Sequence, residues 1–397
     1  MPPIIFRKGL DMKAAVAGQL AAAYHSTVIE EFRAAGYVRT SGRLTIHLAR
    51  EFGFCYGVDR AVDYAYQTRK RFPDRQVFLT GEIIHNPHVN NQLRDQGIRF
   101  LTDPGEDRSL LGADAVVILP AFGVAVSEMA ELDRQGCTLV DTTCGSVLTV
   151  WKNVRRYAQD GFTSIIHGKI QHEETRATAS QATQYPDGHY LVVLNKAEAA
   201  LVCDYIVSGG DAAALLERFS AAVSPGFDPD VHLQRIGCAN QTTMLMTESL
   251  EIGEMFRRAV QTRVGAEDLS ECFRAFDTIC SATQERQDAV VDLLGEVSID
   301  LMVVIGGYNS SNTCNLAKIC ADHCQTFHIS DPGCLVSASE IRHRPIGAPS
   351  TAQITEVVTP TWLPPTGPLV VGLTAGASTP NNIVGEAVAR LEALAGT

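Results

Sequence analysis

Eleven cysteines are spread through 397 residues, and three of them stand in the same local context. The segments LTIHLAREFGFC-YGV-DRAVDYAY, TLVDTTC-GSV-LTVWKNVRRYA and FDTIC-SAT-QERQDAVVDLL each run from an apolar or alternating stretch into Cys55, Cys144 or Cys280. A three-residue spacer and a helical pattern follow each time, which makes this an internal repeat. A cysteine just ahead of a helix start lies in the positive field of that N-terminus, which favours the thiolate and stabilises an anionic cofactor. The second and third segments share an Asp-Thr-Xaa-Cys tetrapeptide that begins at Asp141 and Asp277. Downstream of the three cysteines by 30, 28 and 30 residues come His85, His172 and Ser310, each at the end of the next apolar run.

Three thiolates could serve a metal centre. Structural zinc usually takes four ligands in closely spaced pairs, and the chain has no CxxC. The run HEETR at 172–176 begins like HExxH but ends in Arg176, which excludes a zincin. Cys314, Cys320, Cys324, His328 and Cys334 fall at spacings that suit burial on a helix better than a metal cluster. A 4Fe-4S cluster normally takes four thiolates, so three would leave one open iron for a substrate oxygen. Spacing alone fits equally well three core cysteines at analogous points of a repeated fold.

The elements that would position these residues are legible as short apolar runs: VFL (77–79), AVVIL (115–119), SII (164–166), YLVVL (190–194), LMVVI (301–305) and LVVGL (369–373). Runs of this length between Gly, Pro and Asn signals read as buried strands, and the segments between them repeat at helical period, so parallel α/β units are expected. In open α/β sheets functional groups gather where strands end and helices begin. Residues 13–36 are expected to form one Ala-rich helix ahead of the first strand. The division that follows is an N-terminal extension (1–42) and three pseudo-repeated α/β domains, 43–136 with Cys55, 137–270 with Cys144 and 271–397 with Cys280.

A net charge of −12 disfavours a nucleic-acid partner. No stretch offers the roughly 18 apolar residues of a membrane span. The first residues, MPPIIFRKGLDMKAA, show neither a secretory h-region nor a transit-peptide composition, so the cytoplasm is the expected compartment. An odd number of dispersed cysteines agrees with a reducing environment.

Nine motifs occur in order: GFCYGVDRAV, EIIHNPHV, LPAFG, DTTC, IIHGKIQHEETRATAS, ANQTTM, TICSATQERQDAV, GGYNSSNT and TAGASTP. From about residue 43 to residue 388 the chain resembles the LytB or IspH family, the hydroxymethylbutenyl diphosphate reductases, and within it the longer cyanobacterial and plant branch. It departs from the other bacterial branch at Phe122, where that branch has a substrate-binding His before Gly123. Gly145 and Ser146 stand where many relatives have a Pro.

The resemblance implies three α/β domains around a central 4Fe-4S cluster with three cysteine ligands, Cys55, Cys144 and Cys280, and one open iron for the substrate hydroxyl. Glu174 would be the proton donor, with His172 and Thr242 holding the hydroxyl and the proton path. The diphosphate would lie against His85 and the NSSN and GAST turns, through Ser310, Ser311, Asn312 and Ser378. Each turn follows an apolar run and precedes a helix, so its backbone N–H groups and hydroxyls can cradle phosphate. Asn312 or Ser378 could equally be plain N-caps. Neither GGYNSSN nor TAGAST has the GxGxxG spacing, so electrons would come from a separate carrier, a ferredoxin or flavodoxin. Lys152, Arg155 and Arg156 are the expected docking cations, or else a solvated helix face. An iron-sulfur dehydratase and a non-catalytic iron-sulfur sensor on the same fold are the alternative readings.

Overall fold

Strands form at all six apolar runs: Gln76–Leu79, Ala115–Leu119, Thr163–His167, Tyr190–Val193, Leu301–Ile305 and Leu369–Ala375. The computed structural model describes residues 4–276, 278–348 and 355–396, so Asp277 of the second shared tetrapeptide lies outside the described residues. Ala115–Leu119, Thr163–His167 and Leu301–Ile305 are buried along their whole length. Continuous burial is what parallel strands covered on both faces produce. The expected α/β class is what the chain adopts, with parallel sheets and helical connections.

The chain divides into two compact units. The first comprises Ile5–Arg108, Ala115–Ile118 and the chain from Ser281 on. Its larger sheet runs in the order Gln325–Ile329, Leu301–Ile305, Leu369–Ala375, Leu44–Leu48 and Val38–Ser41. The first four strands are parallel and the edge strand Val38–Ser41 is antiparallel. A smaller parallel set pairs Gln76–Leu79 with Ile98–Phe100 on one side and with residues 115–118 on the other. The hairpin of Glu340–His343 and Val357–Pro360 is antiparallel and had no counterpart among the expected strands. One core gathers Leu44, Ile46, Val303, Phe327, Trp362, Leu373 and Val388, among others.

The second unit comprises mainly Leu119–Cys280. Its sheet is parallel throughout, in the order Phe273–Ala275, Ile236–Asn240, Thr163–His167 and Tyr190–Val193. Helices Lys196–Ser208 and Met246–Val264 supply Val202, Ile206, Ile252 and Phe256 to the core beneath it.

Residues 13–36 are not one helix. Lys13–Tyr24 and Thr27–Ala34 are separate, because His25 is extended and Ser26 turns its hydroxyl to accept the Ile29 N–H at 3.4 Å. That local bond offers the backbone an alternative to continuing the first helix. A short strand, Ile5–Phe6, precedes both.

Candidate functional site

Each of the three repeated cysteines directly precedes a helix: Tyr56–Arg71, Gly145–Gln159 and Ser281–Glu296. The expected three-residue spacers are therefore the first helical turns themselves. Cys55 and Cys144 occupy N-cap positions in extended backbone. Three backbone bonds fix the cysteines: Cys55 N–H to Ala377 O at 3.1 Å, Cys144 N–H to Ala121 O at 2.8 Å, and Cys280 N–H to Thr242 O at 3.3 Å. The buried Arg286 adds a clamp by donating through Nε and Nη2 to Gly53 O at 3.2 and 2.8 Å, two residues before Cys55.

The donor set fits a thiolate-held group. All three cysteines are partly exposed and none of the eleven forms a disulfide. Elsewhere, burial pushes the Cys203 thiol up to about 12 and raises Cys238, Cys320 and Cys324. Cys320 and Cys334 belong to two different core clusters, where they pack as small apolar groups.

In the first unit the diphosphate residues named from sequence come together around two glycine-bearing turns. Ser310 caps the helix Ser311–Ala321 by accepting the Thr313 N–H at 3.3 Å, so the cap belongs to Ser310 rather than Asn312. Asn312 instead accepts the Ala377 N–H at 2.9 Å, which ties the NSSN turn to the GAST turn. Ser378 donates to His85 O at 3.2 Å, and the helix after it begins at Asn381 without a side-chain cap. A Cβ on Gly307 would stand 2.2 Å from His85 O, so this close approach of two backbones requires glycine. His328 holds the turn from behind by donating Nε2–H to Gly306 O at 3.0 Å, and burial pushes its pKa down to about 3. Ser310, Ser311, Asn312 and Ser378 are all buried.

Among the described residues the Asn312 Nδ2 and Thr313 Oγ1 have no hydrogen-bond partner although both are buried. Leaving a buried donor unsatisfied costs about 1–3 kcal/mol, which an acceptor-rich anion would offset. His85 is held through Nδ1, which donates to Glu82 Oε2 at 2.9 Å, and Asn309 Nδ2 donates to the same oxygen at 2.8 Å. Burial alone would raise the Glu82 carboxyl, but these bonds outweigh it and leave the carboxyl below its ordinary value. The sequence reading did not single out Glu82 or Asn309. The signal was present, since Glu82 opens the EIIHN motif three residues before His85 and Asn309 opens NSSN.

In the second unit Glu174, His172 and Thr242 meet. His172 is the N-cap of Glu173–Ala182, its Nδ1 accepting the Glu174 N–H at 3.1 Å. Glu174 is 3% exposed, and its Oε1 accepts the Thr242 N–H at 2.5 Å. Phe122 packs its ring edge-on against His172 at 6.0 Å, so the residue that departs from the other branch orients a histidine instead of contributing one. Gly123 has φ +75, and a Cβ there would fall 2.4 Å from Trp151. Gln241, also missed from sequence, accepts from Lys169 N–H and Thr175 Oγ1 at 3.1 Å each, which locks the HEET turn to the strand end beside Thr242. His167 donates or accepts at Ser249 Oγ at 2.8 Å, with burial pushing its pKa down to about 4.

On the helix after Cys144, Lys152 is exposed and Arg156 leans toward Asp160 at 3.9 Å. Arg155 instead turns back to Gln181 Oε1 at 2.8 and 2.6 Å. No helix among the described residues is long and apolar enough to cross a membrane.

The family model described as LytB protein matches residues 46–392. The chain belongs to the LytB family. Among curated LytB relatives, the 4-hydroxy-3-methylbut-2-enyl diphosphate reductase of Gloeobacter violaceus is 50% identical over 398 residues, covering 98% of this chain and 93% of the relative. The enzyme of the same name from Synechococcus sp. (strain CC9311) is 48% identical over 391 residues, covering 98% and 95%. Both are cyanobacterial, in agreement with the branch read from the motifs. The LytB fold is also that of two solved structures. One, an (E)-4-hydroxy-3-methyl-but-2-enyl diphosphate reductase, the terminal enzyme of the non-mevalonate pathway, superposes with a TM-score of 0.50 at 24% identity, covering 88% of this chain and 99% of that one. The other is the E-1-hydroxy-2-methyl-but-2-enyl-4-diphosphate reductase of Plasmodium falciparum, with a TM-score of 0.61 at 19% identity, covering 87% and 86%.

Proposed function

We propose that this LytB-family chain is the reductase its relatives are named for. It removes the allylic hydroxyl of (E)-4-hydroxy-3-methylbut-2-enyl diphosphate to give isopentenyl and dimethylallyl diphosphates, the last step of the methylerythritol phosphate route. Two electrons and two protons enter and one water leaves. Cys55, Cys144 and Cys280 hold a 4Fe-4S cluster with one open iron, and the domains 43–136, 137–270 and 271–397 contribute one cysteine each. When bound, the cluster supplies the electrons and a Lewis-acidic iron for the hydroxyl oxygen.

The observation that carries this reading is the arrangement of the three cysteines. Each precedes a helix at the end of a strand-to-helix turn, partly exposed, where the helix N-terminus favours its anion. Glu174, buried beside the Thr242 N–H, is placed to give a proton to the departing hydroxyl, and His172 and Thr242 hold that group and the proton path. His85, Ser310, Ser311, Asn312 and Ser378 bind the diphosphate, with the buried Asn312 amide as an N–H donor waiting for an acceptor.

The electrons come from a ferredoxin or flavodoxin in the cytoplasm. Lys152 and Arg156 form the exposed part of its docking patch, and Arg155 braces it from Gln181. Reversing the charge at Lys152 and Arg156 should raise the Michaelis constant for the carrier and leave dithionite-driven turnover intact.

The test of the whole reading is anaerobic purification. Brown protein with about four irons and four sulfides per chain, consuming the substrate with a low-potential reductant, is the expected result. A colourless zinc protein without that activity refutes it. Water loss without electron consumption would instead identify the dehydratase.

A further inference from the structure

The NSSN and GAST turns proposed for the diphosphate hold no lysine or arginine. We infer that Arg344 is a positioning residue that supplies the missing cation, holding the NSSN turn from behind and lending it positive charge for the diphosphate, an inference that rests on the functional reading above.

Arg344 follows the strand Glu340–His343 of the hairpin and is 3% exposed. Its backbone is fastened to the larger sheet, where its N–H donates to His328 O at 2.8 Å. Its guanidinium turns to the NSSN loop. Nη1 donates to Tyr308 O and to Cys314 Sγ, the latter at 2.6 Å, and Nη2 donates to Ala348 O at 2.5 Å. Tyr308 lies two residues before Ser310, and Cys314 sits in the first turn of the helix that Ser310 caps. The cation is thereby bonded on both sides of Ser310, Ser311 and Asn312.

Three observations give this placement a ligand. An arginine side chain is always a cation, and among the described residues no carboxylate pairs with Arg344. Glu356, across the hairpin, is engaged by the Tyr308 hydroxyl at 2.8 Å and by Arg342 at 3.4 Å. A charge buried without a counter-charge is costly, and an anion on the turn offsets that cost. Second, carbonyl oxygens repel an anion, and two of this loop are occupied, Gly306 O by His328 and Tyr308 O by Arg344. His328 adds no charge of its own, since burial pushes its pKa down to about 3. Third, Asn312 Nδ2 and Thr313 Oγ1, in the same helical turn as Cys314, are buried without a hydrogen-bond partner. Donors for an anion therefore lie within one turn of the guanidinium's own contacts.

The experiment uses anaerobic holoenzyme, with (E)-4-hydroxy-3-methylbut-2-enyl diphosphate for turnover and inorganic pyrophosphate as a competitive inhibitor. Arg344→Gln keeps an N–H donor for Tyr308 O and removes the charge, whereas Arg344→Lys keeps the charge and loses the planar fork. On the order of a tenfold rise in KM and in the pyrophosphate inhibition constant is expected for Arg344→Gln. Arg344→Lys should stay within about threefold of wild type in both constants, and kcat and the cluster absorption spectrum should change little in either variant. Equal rises in the two variants would make Arg344 a brace without an electrostatic role, and unchanged constants in Arg344→Gln would remove it from the site. Either result overturns the inference while wild-type turnover leaves the functional reading standing. A wild-type holoenzyme that does not consume the substrate refutes the functional reading, and this inference falls with it. Should Arg344→Gln fail to fold, hydrogen exchange on the wild-type holoenzyme decides. Pyrophosphate should slow exchange at residues 340–344 together with 308–314, and protection that stops at the NSSN turn overturns the inference.

Discussion

Replacing Glu174 by Gln removes the proposed proton donor and keeps an acceptor. In the wild type the buried Glu174 takes the Thr242 N–H at Oε1 at 2.5 Å, and the amide oxygen of Gln can take the same bond. Stability should therefore change by less than about 1 kcal/mol. Glu174→Ala would leave that N–H unsatisfied and cost about 1–3 kcal/mol in denaturant unfolding. Turnover should separate from stability. Loss of a positioned general acid is worth roughly 10²- to 10⁴-fold, or about 3–5 kcal/mol of barrier at 1.36 kcal/mol per tenfold. The assay is anaerobic turnover with reduced viologen, beside iron content and substrate affinity, both of which should stay near wild type in Glu174→Gln. Near-normal turnover in Glu174→Gln would refute the assignment, and proton delivery would then pass through another group such as His172.

Cys144→Ser should lose the cluster, its colour and all turnover, read by iron analysis and the visible spectrum. Gly307→Ala forces a methyl to within 2.2 Å of His85 O, so the NSSN turn and the His85 loop must part. That variant should lose about 1–3 kcal/mol of stability and bind pyrophosphate more weakly, with the cluster spectrum kept. His167 and His328 have folded pKa values of about 4 and about 3, pushed down by burial, against about 6.5 when unfolded. The unfolded chain therefore takes up protons first as pH falls below 6.5, and each histidine should remove roughly 2 kcal/mol of stability by pH 5. The expected result is a denaturation midpoint that falls between pH 7 and pH 5, with a smaller fall in His328→Phe provided that variant folds.

The strands and the cysteine-to-helix junctions were legible because their signals are local. A five-residue apolar run such as LMVVI reports its own burial, and a cysteine before a helical pattern reports its own place in the chain. The break at His25 and Ser26 was hidden because the residues on both sides are good helix formers. Only the Ser26 hydroxyl, taking the Ile29 N–H, decides against a continuous helix. The pairing of Glu82 with Asn309 was hidden for a different reason. The two residues lie 227 positions apart, and only the parallel strands Gln76–Leu79 and Leu301–Ile305, in separate sheets of the first unit, bring their following loops together. Arg286 clamping Gly53 across 233 positions is a contact of the same kind.

The family match begins at residue 46, yet the fold begins well before it. Leu10, Val16, Ile29 and Phe32 have no exposed surface, and Gln67 on the Cys55 helix receives the N–H groups of Leu10 and Met12 at 3.2 Å each. Tyr24 rests on Phe54, the residue before Cys55, at 5.5 Å between rings, and accepts the Tyr66 hydroxyl at 3.1 Å. At about 1.5–3 kcal/mol per buried side chain, those four apolar residues alone amount to roughly 6–12 kcal/mol, which is comparable to the whole stability of an ordinary domain. A shortened enzyme cut at the first recognisable motif would therefore keep every residue proposed for the reaction and lose the packing behind Phe54, the residue before Cys55. For anyone trimming or grafting this protein, the fold begins well upstream of the first residue that the family model matches.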